Sequence, residues 1–244
     1  WGEFSAFVMP YFRERTFPGM DGRLRPPLPI DTGRPVYESS DGRNHVDIAL
    51  RYSHYIGDID IGLSLFSGTS REPRFVPAED GPYLLPHYDL IDQFGVDMQY
   101  TRDAWLWKLE AIARNGYSHS FAAAVAGFEY TMYQVRDSAA DIGLLLEYQY
   151  DGRNELDPIT VNENDIFVGT RLALNDMQDT SVLAGVAYDV DTGETFLSIE
   201  AERRFGDDIA FELRVRAFSG ADPQDVTYSL TRDDYVQIQI AKYF

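Results

Sequence analysis

Apolar side chains recur at every second position along most of the chain, and polar, charged or small residues occupy the positions between them. This two-residue period is that of a β-strand whose two faces meet different surroundings. In the segment 105–113, for example, Trp105, Trp107 and Leu109 share one face, whereas Lys108 and Glu110 share the other. The pattern therefore predicts an all-β fold in which each strand has one apolar and one polar face.

The same alternation predicts about twelve strands, which together cover most of the chain. They lie at about 4–12, 45–55, 58–67, 90–101, 105–113, 121–133, 142–150, 165–175, 181–190, 196–204, 209–218 and 235–244. A soluble β-sandwich also alternates, so the period alone does not separate a sandwich from a barrel. The connections, however, are alternately short and long, as in membrane barrels, which have short turns on one side and long loops on the other. This predicts a transmembrane antiparallel up-and-down β-barrel that occupies 1–244 as a single domain.

Aromatic residues on the apolar faces provide a second indication of a membrane. In a membrane barrel they gather at strand ends, where lipid headgroups meet water. The outward aromatic residues at predicted strand ends are Tyr52, Tyr100, Trp105, Trp107, Tyr130, Tyr148, Tyr150 and Phe244. If the long loops are external, Tyr148 and Tyr150 fall at the external end of their strand, and the other six fall at the opposite, periplasmic ends. Two interfacial girdles would account for this distribution.

The last strand alternates Val236, Ile238 and Ile240 and ends on Phe244. This pattern resembles the closing strand of porin-like Gram-negative outer-membrane β-barrels. The alternation along the rest of the chain resembles these proteins too. Segments 12–19, 70–74 and 127–131 look like those of uncharacterised members of that broad group. The resemblance implies an outer-membrane location, contacts with lipid and lipopolysaccharide, and assembly by the barrel-assembly machinery through the C-terminal strand. It brings no catalytic residue with it.

Composition excludes several other classes of protein. The 40 acidic and 21 basic residues give a net charge of −19, so nucleic acid would be repelled. Cysteine is absent, which excludes a disulfide scaffold and thiolate metal sites. No segment approaches the roughly 18 uninterrupted apolar residues of a spanning helix, so any membrane crossing must use strands. The chain opens directly in a predicted strand, and we therefore expect the gene product to begin upstream, with or without further strands.

Charged side chains on the inward faces of the predicted strands are candidates for the lining of a pore. A twelve-stranded barrel would have a backbone radius of about 12 Å, which leaves a narrow aqueous lumen. The candidates are Lys108, Glu110, Arg114, Glu147, Arg171, Glu200, Glu202, Arg204, Glu212, Arg214 and Arg216. Because both signs occur on neighbouring strands, we expect cross-strand pairs. These charges either neutralise one another and fill the interior, or line a solute path as an electrostatic filter.

Arginine and proline are concentrated in the first long loop, 18–44. This loop contains Arg23, Arg25 and Arg34, and the second long loop adds Arg71 and Arg74. Guanidinium groups suit carboxylate or phosphate partners, and proline stiffens a loop by fixing φ. One interpretation is a constriction in the mouth of a pore that favours anionic or zwitterionic solutes. The alternative is that these arginines pair with acids of the loops or with lipopolysaccharide phosphates.

The function that follows is passive diffusion of small hydrophilic solutes through a porin-like channel. Two alternatives stay open: a plugged structural or partner-binding barrel, and a lipid-modifying enzyme of the outer leaflet. Ser118 and His119, in a predicted external turn, are the best enzymatic candidates, but neighbouring residues on a strand point to opposite faces, so we expect no nucleophile and base pair. The sequence predicts no catalytic residue, cofactor or metal site, and it leaves the oligomeric state open.

Acidic residues are frequent in the predicted external loops. Their spacing matches no defined calcium-binding loop, so we expect a solvated acidic rim, with divalent bridging to lipopolysaccharide left open. Members of this set include Glu155, Asp157, Asp165 and Asp225.

Overall fold

The computed structural model describes residues 1–154, 156–160, 163–223 and 226–244. These residues form fifteen strands. They are β1 (Glu3–Met9), β2 (Val36–Tyr37), β3 (Asp47–Ile56), β4 (Ile59–Thr69), β5 (Arg74–Pro77), β6 (Leu84–Tyr88), β7 (Leu90–Arg102), β8 (Trp105–Asn115), β9 (Phe121–Met132), β10 (Asp141–Asp151), β11 (Asn164–Ala173), β12 (Ser181–Asp189), β13 (Thr195–Phe205), β14 (Ile209–Ser219) and β15 (Tyr235–Lys242). Three short 3₁₀ helices span Gly42–Asn44, Val135–Asp137 and Val226–Arg232.

Twelve of the strands form one antiparallel sheet in which each long strand is bonded to the next one along the chain. The strand order is β1-β3-β4-β7-β8-β9-β10-β11-β12-β13-β14-β15. The predicted all-β class, the strand number and the up-and-down order are therefore confirmed. The three remaining strands, β2, β5 and β6, form a separate small sheet that the sequence did not predict.

The register of the long sheet keeps the apolar and polar faces separate from strand to strand. Between β13 and β14, Ile199 lies opposite Val215, and the next pair, Glu200 and Arg214, belongs to the other face. Because the side-chain period is two residues, a slip by one residue would move every apolar side chain to the charged face. The register is therefore specified along the whole strand rather than by the turn alone.

The connections differ between the two ends of the strands in the long sheet. Some connections are tight turns that contain a residue in the left-handed region of φ. Gly57, at φ +62°, lies between β3 and β4, and Asp103, at φ +54°, lies between β7 and β8. The connections at the other ends of β3 and β4 are the long segments 10–46 and 70–89, which contain the strands of the small sheet. The predicted alternation of short and long connections is thus confirmed in this part of the chain.

The two long segments fold together around an aromatic core. In the small sheet β6 is central, and it pairs with β2 in parallel and with β5 in antiparallel orientation. Phe12 and Tyr88 are almost fully buried, with ring centroids 4.7 Å apart, and Tyr37 stacks on Tyr88 at 5.7 Å. Burial of large aromatic rings contributes strongly to folding free energy, so these loops are packed structures rather than open connections.

The apolar face of the long sheet is exposed. Leu144 is 45% exposed and Ile238 is 62% exposed, and similar values recur on β11, β12 and β15. Among the described residues, the buried hydrophobic side chains are Phe12, Tyr88, Ile91, Phe121 and Leu145. Many apolar side chains of the long sheet therefore lie outside a buried core.

The chain divides into two compact units. The first comprises Trp1–Gln99, Leu109–Ala124 and Tyr150–Glu163, and it contains the small sheet. The second comprises Tyr100–Lys108, Val125–Gln149 and Asn164–Phe244, and it contains all of β11 to β15. No helix in the described part of the chain has the length and apolar character needed to cross a membrane.

Candidate functional site

A group of charged and polar side chains in the first unit surrounds Arg114 near the end of β8. We call Glu72, Gln93, Arg114, Asp151 and Arg153 the Arg114 cluster. Arg114 Nη1 donates to Glu72 Oε2 over 2.6 Å, and Arg114 Nε donates to Gln93 Oε1 over 2.8 Å. Arg153 Nη1 lies 3.4 Å from the same Glu72 oxygen. Two guanidinium groups thus converge on one carboxylate.

Both arginines of the cluster are packed against an aromatic side chain. The guanidinium carbon of Arg153 lies 5.2 Å from the centroid of the Phe121 ring, and that of Arg114 lies 5.7 Å from it. The side chains of Arg114 and Arg153 are only 10% and 8% exposed. Cation–π contacts are stronger when the cation is desolvated, so this ring helps to hold the two guanidinium groups.

Asp151 fixes Arg153 independently of Glu72. Arg153 donates from Nε to Asp151 Oδ1 over 2.9 Å and from Nη2 to Asp151 Oδ2 over 2.6 Å. Burial lowers the pKa of Arg153, but the hydrogen bonds and the charge of Asp151 outweigh burial and raise the pKa. Arg153 therefore stays cationic, and its planar fork is held by a bidentate pair.

The loop arginines that the sequence suggested for a constriction are largely paired with carboxylates of the first unit. Arg34 Nε lies 2.9 Å from Asp31, and Arg34 Nη1 lies 3.1 Å from Asp80. Arg71 Nη1 lies 2.8 Å from Asp47, and Arg74 Nε donates to Asp89 over 2.9 Å. Arg23 and Arg25 lie in the same long segment as Arg34. In the structure, Arg34, Arg71 and Arg74 thus form ion pairs with carboxylates of the first unit. Their role in a constriction stays a prediction.

Charged residues of the second unit form the predicted cross-strand pairs. Arg216 donates from Nη2 to Glu200 Oε1, and Arg214 Nε lies 3.5 Å from the same oxygen. Arg171 Nε lies 3.2 Å from Glu129, a residue that the sequence analysis did not single out. The prediction that opposite charges pair across neighbouring strands is confirmed for Glu200 on β13 with Arg214 and Arg216 on β14, whereas Arg171 on β11 reaches across β10 to Glu129 on β9.

The remaining inward candidates lie on the charged faces of their strands. Glu202 lies directly opposite Glu212, so one like-charge pair interrupts the series of ion pairs. Gly127 makes room for Glu147, since a Cβ atom at Gly127 would lie 2.6 Å from Glu147 Cγ. By the same two-residue period, the charged faces also carry Lys108, Glu110 and Arg204.

Ser118 and His119 lie in a turn, as the sequence analysis expected, but their side chains are close together, which the opposite-face argument did not anticipate. Both lie in the turn between β8 and β9 rather than on a strand, and Ser118 Oγ is 3.2 Å from His119 Nδ1. Ser118 Oγ, however, donates to Asp157 Oδ1 over 2.8 Å, and Asp157 Oδ2 is 3.2 Å from the same His119 nitrogen. A serine–histidine–aspartate relay uses both ring nitrogens, one for the serine and the other for the carboxylate. This group therefore fixes two loops together and lacks the geometry of a relay.

Asp157 is buried, so the predicted solvated acidic rim is wrong at this position. Burial raises its pKa, but hydrogen bonds from the Asn154 backbone and from Ser118 outweigh burial and leave the pKa below the ordinary value. Asp165 is also buried. Glu155 and Asp225 lie outside the described residues. Among those that are described, no group of three or more residues is arranged to hold a metal ion.

Aromatic residues on the apolar strand faces of the second unit form a compact cluster. Trp105 and Trp107 stack with ring centroids 5.5 Å apart, and Tyr130 lies 4.7 Å from Trp105. Phe128, which the sequence analysis missed, contacts both tryptophans at 5.2 and 5.0 Å. Other predicted girdle residues are also exposed or partly exposed, namely Tyr52, Tyr100, Tyr148, Tyr150 and Phe244.

Sequence reasoning also missed Arg153 and Asp151, and it missed the ion pairs of Glu72 with Arg114 and Arg153. Arg153 follows the end of β10 in a loop, and the alternation that identifies strand faces carries no information about loop residues. Comparisons of this chain with family models, with curated proteins and with solved structures found no match.

Proposed function

We propose that the chain is a porin-like outer-membrane β-barrel through which small hydrophilic solutes diffuse passively. This proposal rests on how the two faces of the twelve-stranded sheet differ, because the apolar face is the exposed one. Its apolar face is exposed, as at Leu144 and Ile238, whereas the opposite face carries ion pairs such as Glu200 with Arg216. Hydrocarbon is the environment that stabilises such an apolar face, since soluble proteins rarely expose continuous apolar surfaces above a few hundred Å².

A soluble β-sandwich fits these observations less well. In a sandwich, the apolar faces of two sheets pack against each other and form the core. The described residues bury few hydrophobic side chains, and the aromatic core of the first unit belongs to the long loops rather than to the long sheet. The polarity of the sheet thus supports a lipid-facing exterior and a polar interior.

Closure of the sheet is part of the proposal. An even number of up-and-down strands leaves the first and last strands, β1 and β15, antiparallel, so the two can pair directly. Closure would remove both edges of the sheet, and unpaired edges with apolar side chains promote aggregation. If further strands precede β1 in the gene product, the same argument applies to a wider barrel.

The preference for anionic or zwitterionic solutes rests on the Arg114 cluster more than on the loop arginines. Arg34, Arg71 and Arg74 each have at least one carboxylate that neither of the other two arginines contacts. Arg114 and Arg153 share the Glu72 oxygen, so their donors are the ones available for exchange with a solute. Local charge at the lining sets selectivity in pores of this kind.

Liposome swelling tests the proposed function. Vesicles that contain the purified chain should swell in isotonic solutions of small sugars and amino acids, at rates that fall as solute size increases. Vesicles with heat-denatured protein provide the control. Swelling rates equal to that control for every solute, from protein shown to be folded and inserted, would contradict passive diffusion.

A plugged structural or partner-binding barrel is the second candidate. It is favoured by the packing of segments 10–46 and 70–89 into a small sheet, and by the hydrogen bond that attaches Glu72 to Arg114. Under this alternative, the liposomes stay impermeable although the protein is inserted. Deletion of 73–88 should then make them permeable.

A further inference from the structure

We propose that Arg114 and Arg153 form a binding site for the carboxylate of a small solute, and that Glu72 occupies this site when no solute is bound. This inference deepens the proposed channel function and rests on it for the source of the solute. Glu72 belongs to the long segment 70–89 and lies just before β5, whereas Arg114 lies on β8 and Arg153 follows β10. The loop thus supplies an internal ligand to groups that the long strands position.

The two arginines would keep their orientation if Glu72 left. Arg114 Nε is held by Gln93 over 2.8 Å, and Arg153 is held by Asp151 through two hydrogen bonds and by the Pro158 carbonyl oxygen over 3.2 Å. Both Nη1 atoms point at one shared oxygen of Glu72, and each has a second acceptor: the Tyr117 hydroxyl for Arg114, over 3.4 Å, and the Pro158 carbonyl oxygen for Arg153. A site whose donors are already oriented loses little conformational entropy when a new ligand binds.

Glu72 differs from the arginines in its exposure. Its side chain is 40% exposed, whereas those of Arg114 and Arg153 are 10% and 8% exposed. The Glu72 backbone has separate contacts, because its N–H donates to Ser70 Oγ over 3.0 Å and its carbonyl accepts from Tyr117 over 3.2 Å. The carboxylate can therefore leave the guanidinium groups by side-chain rotation while the loop backbone stays in place.

The charges favour a single carboxylate as the ligand. Asp151 balances one of the two guanidinium groups, so one positive charge is left for Glu72 or for a solute. A monocarboxylate can accept from both Nη1 atoms and restores neutrality, whereas a neutral amide of the same shape offers a weaker acceptor. The Phe121 ring lies against both guanidinium groups and excludes water from that side.

Isothermal titration calorimetry of the folded protein in detergent, with propionate as the probe, tests this assignment. In the wild-type protein propionate must displace Glu72, so weak binding is expected. Glu72→Gln should bind propionate about tenfold more tightly, because the neutral side chain competes less well for the charged donors. Propionamide should bind neither protein detectably.

Three further variants make the test specific. Glu79→Gln removes the same charge from an exposed position of the same loop, and it should leave propionate affinity at the wild-type value. Arg114→Met in the Glu72→Gln background should abolish binding. If that protein fails to fold by circular dichroism, Arg114→Lys replaces it, and loss of the guanidinium fork should still weaken binding several-fold.

Equal propionate affinity in the wild type, Glu72→Gln and Glu79→Gln would overturn the inference, and so would binding that survives both Arg114 substitutions. The calorimetric result does not depend on conductance. A protein that binds propionate but never permeabilises liposomes would contradict only the channel function. A permeable protein in which Glu72→Gln gains no affinity would contradict only the carboxylate site.

Discussion

Glu200 on β13 lies directly opposite Arg214 on β14, and Arg214 Nε is 3.5 Å from Glu200 Oε1. Two positions further along β13, the directly opposed pair is Glu202 and Glu212. The same face of the same two strands thus holds one attractive pair and one repulsive pair. Cross-strand pairs contribute to sheet stability according to their charges, so these two positions respond differently to the same substitution.

Glu200→Gln should lower the free energy of unfolding by about 1 kcal/mol, because Arg216, which is mostly buried, also loses its charged acceptor. Glu202→Gln is the matched control on the same strand and face, and it should be neutral or slightly stabilising because it removes a like-charge pair. Urea unfolding of both variants in the same lipid checks this. A larger loss for Glu202→Gln than for Glu200→Gln would contradict the charge arrangement.

An arginine on the apolar face should be costly if that face meets lipid. Leu144→Arg should reduce the free energy of unfolding in vesicles by about 2–4 kcal/mol, the range for arginine near the membrane midplane. Gln149→Arg, on the opposite face of β10, adds the same charge and should cost much less. Similar costs for the two variants would mean that the Leu144 face is not in hydrocarbon.

If the chain is the proposed membrane barrel, tryptophan fluorescence should report the depth of the aromatic cluster around Trp105 and Trp107. In a Trp1→Phe background, Trp105 and Trp107 are the remaining tryptophans. Because aromatic girdles lie at the membrane interface, bromine atoms near the headgroup end of the acyl chain should quench them more strongly than bromines at the chain terminus. Emission that is unaffected by brominated lipid in a folded sample would exclude an interfacial position.

Acid should release the loops that Asp157 holds. The pKa of Asp157 is lowered below its ordinary value of 3.8, because the hydrogen bonds from Asn154 and Ser118 outweigh the effect of burial. A depressed carboxyl pKa contributes stability that is present above the unfolded-state value and is lost as pH falls through the folded-state value. Amide hydrogen exchange at Ser118 and Asn154 should therefore be slow at pH 5–7, after correction for intrinsic rates, and should accelerate below about pH 3.8.

Asp157→Asn provides the control for that measurement. The variant lacks the titrating group, so protection of Ser118 and Asn154 should be weaker at neutral pH and should change little between pH 5 and pH 3. A wild-type protein whose protection stays constant over the same interval would show that the Asp157 carboxylate does not hold these loops.

The strands were predictable because their signal is local and repeated. In β13 and β14, each apolar residue is followed by a polar one, so the face of Ile199 or Glu200 can be read without knowledge of its partner. Twelve such segments in succession also predict the up-and-down order, because short connections favour pairing of consecutive strands.

The loops were not predictable by the same reasoning. β2 contains only two residues and pairs with β6, which lies about fifty positions later, so no local period identifies it. Ser118 and His119 were placed in a turn, where the alternation of strand faces does not apply, and this turn brings their side chains together. Arg153 reaches the Arg114 cluster through a connection between β10 and β11, where pairing depends on tertiary packing rather than on sequence spacing.

Planar-bilayer recording tests the central claim most directly, namely that the chain forms a water-filled path across a membrane. Purified folded protein added to a solvent-free bilayer should produce discrete conductance steps of uniform size, and the heat-denatured protein should produce none. Complete absence of steps at all voltages, in bilayers shown by antibody or label to contain the folded chain, would contradict the account.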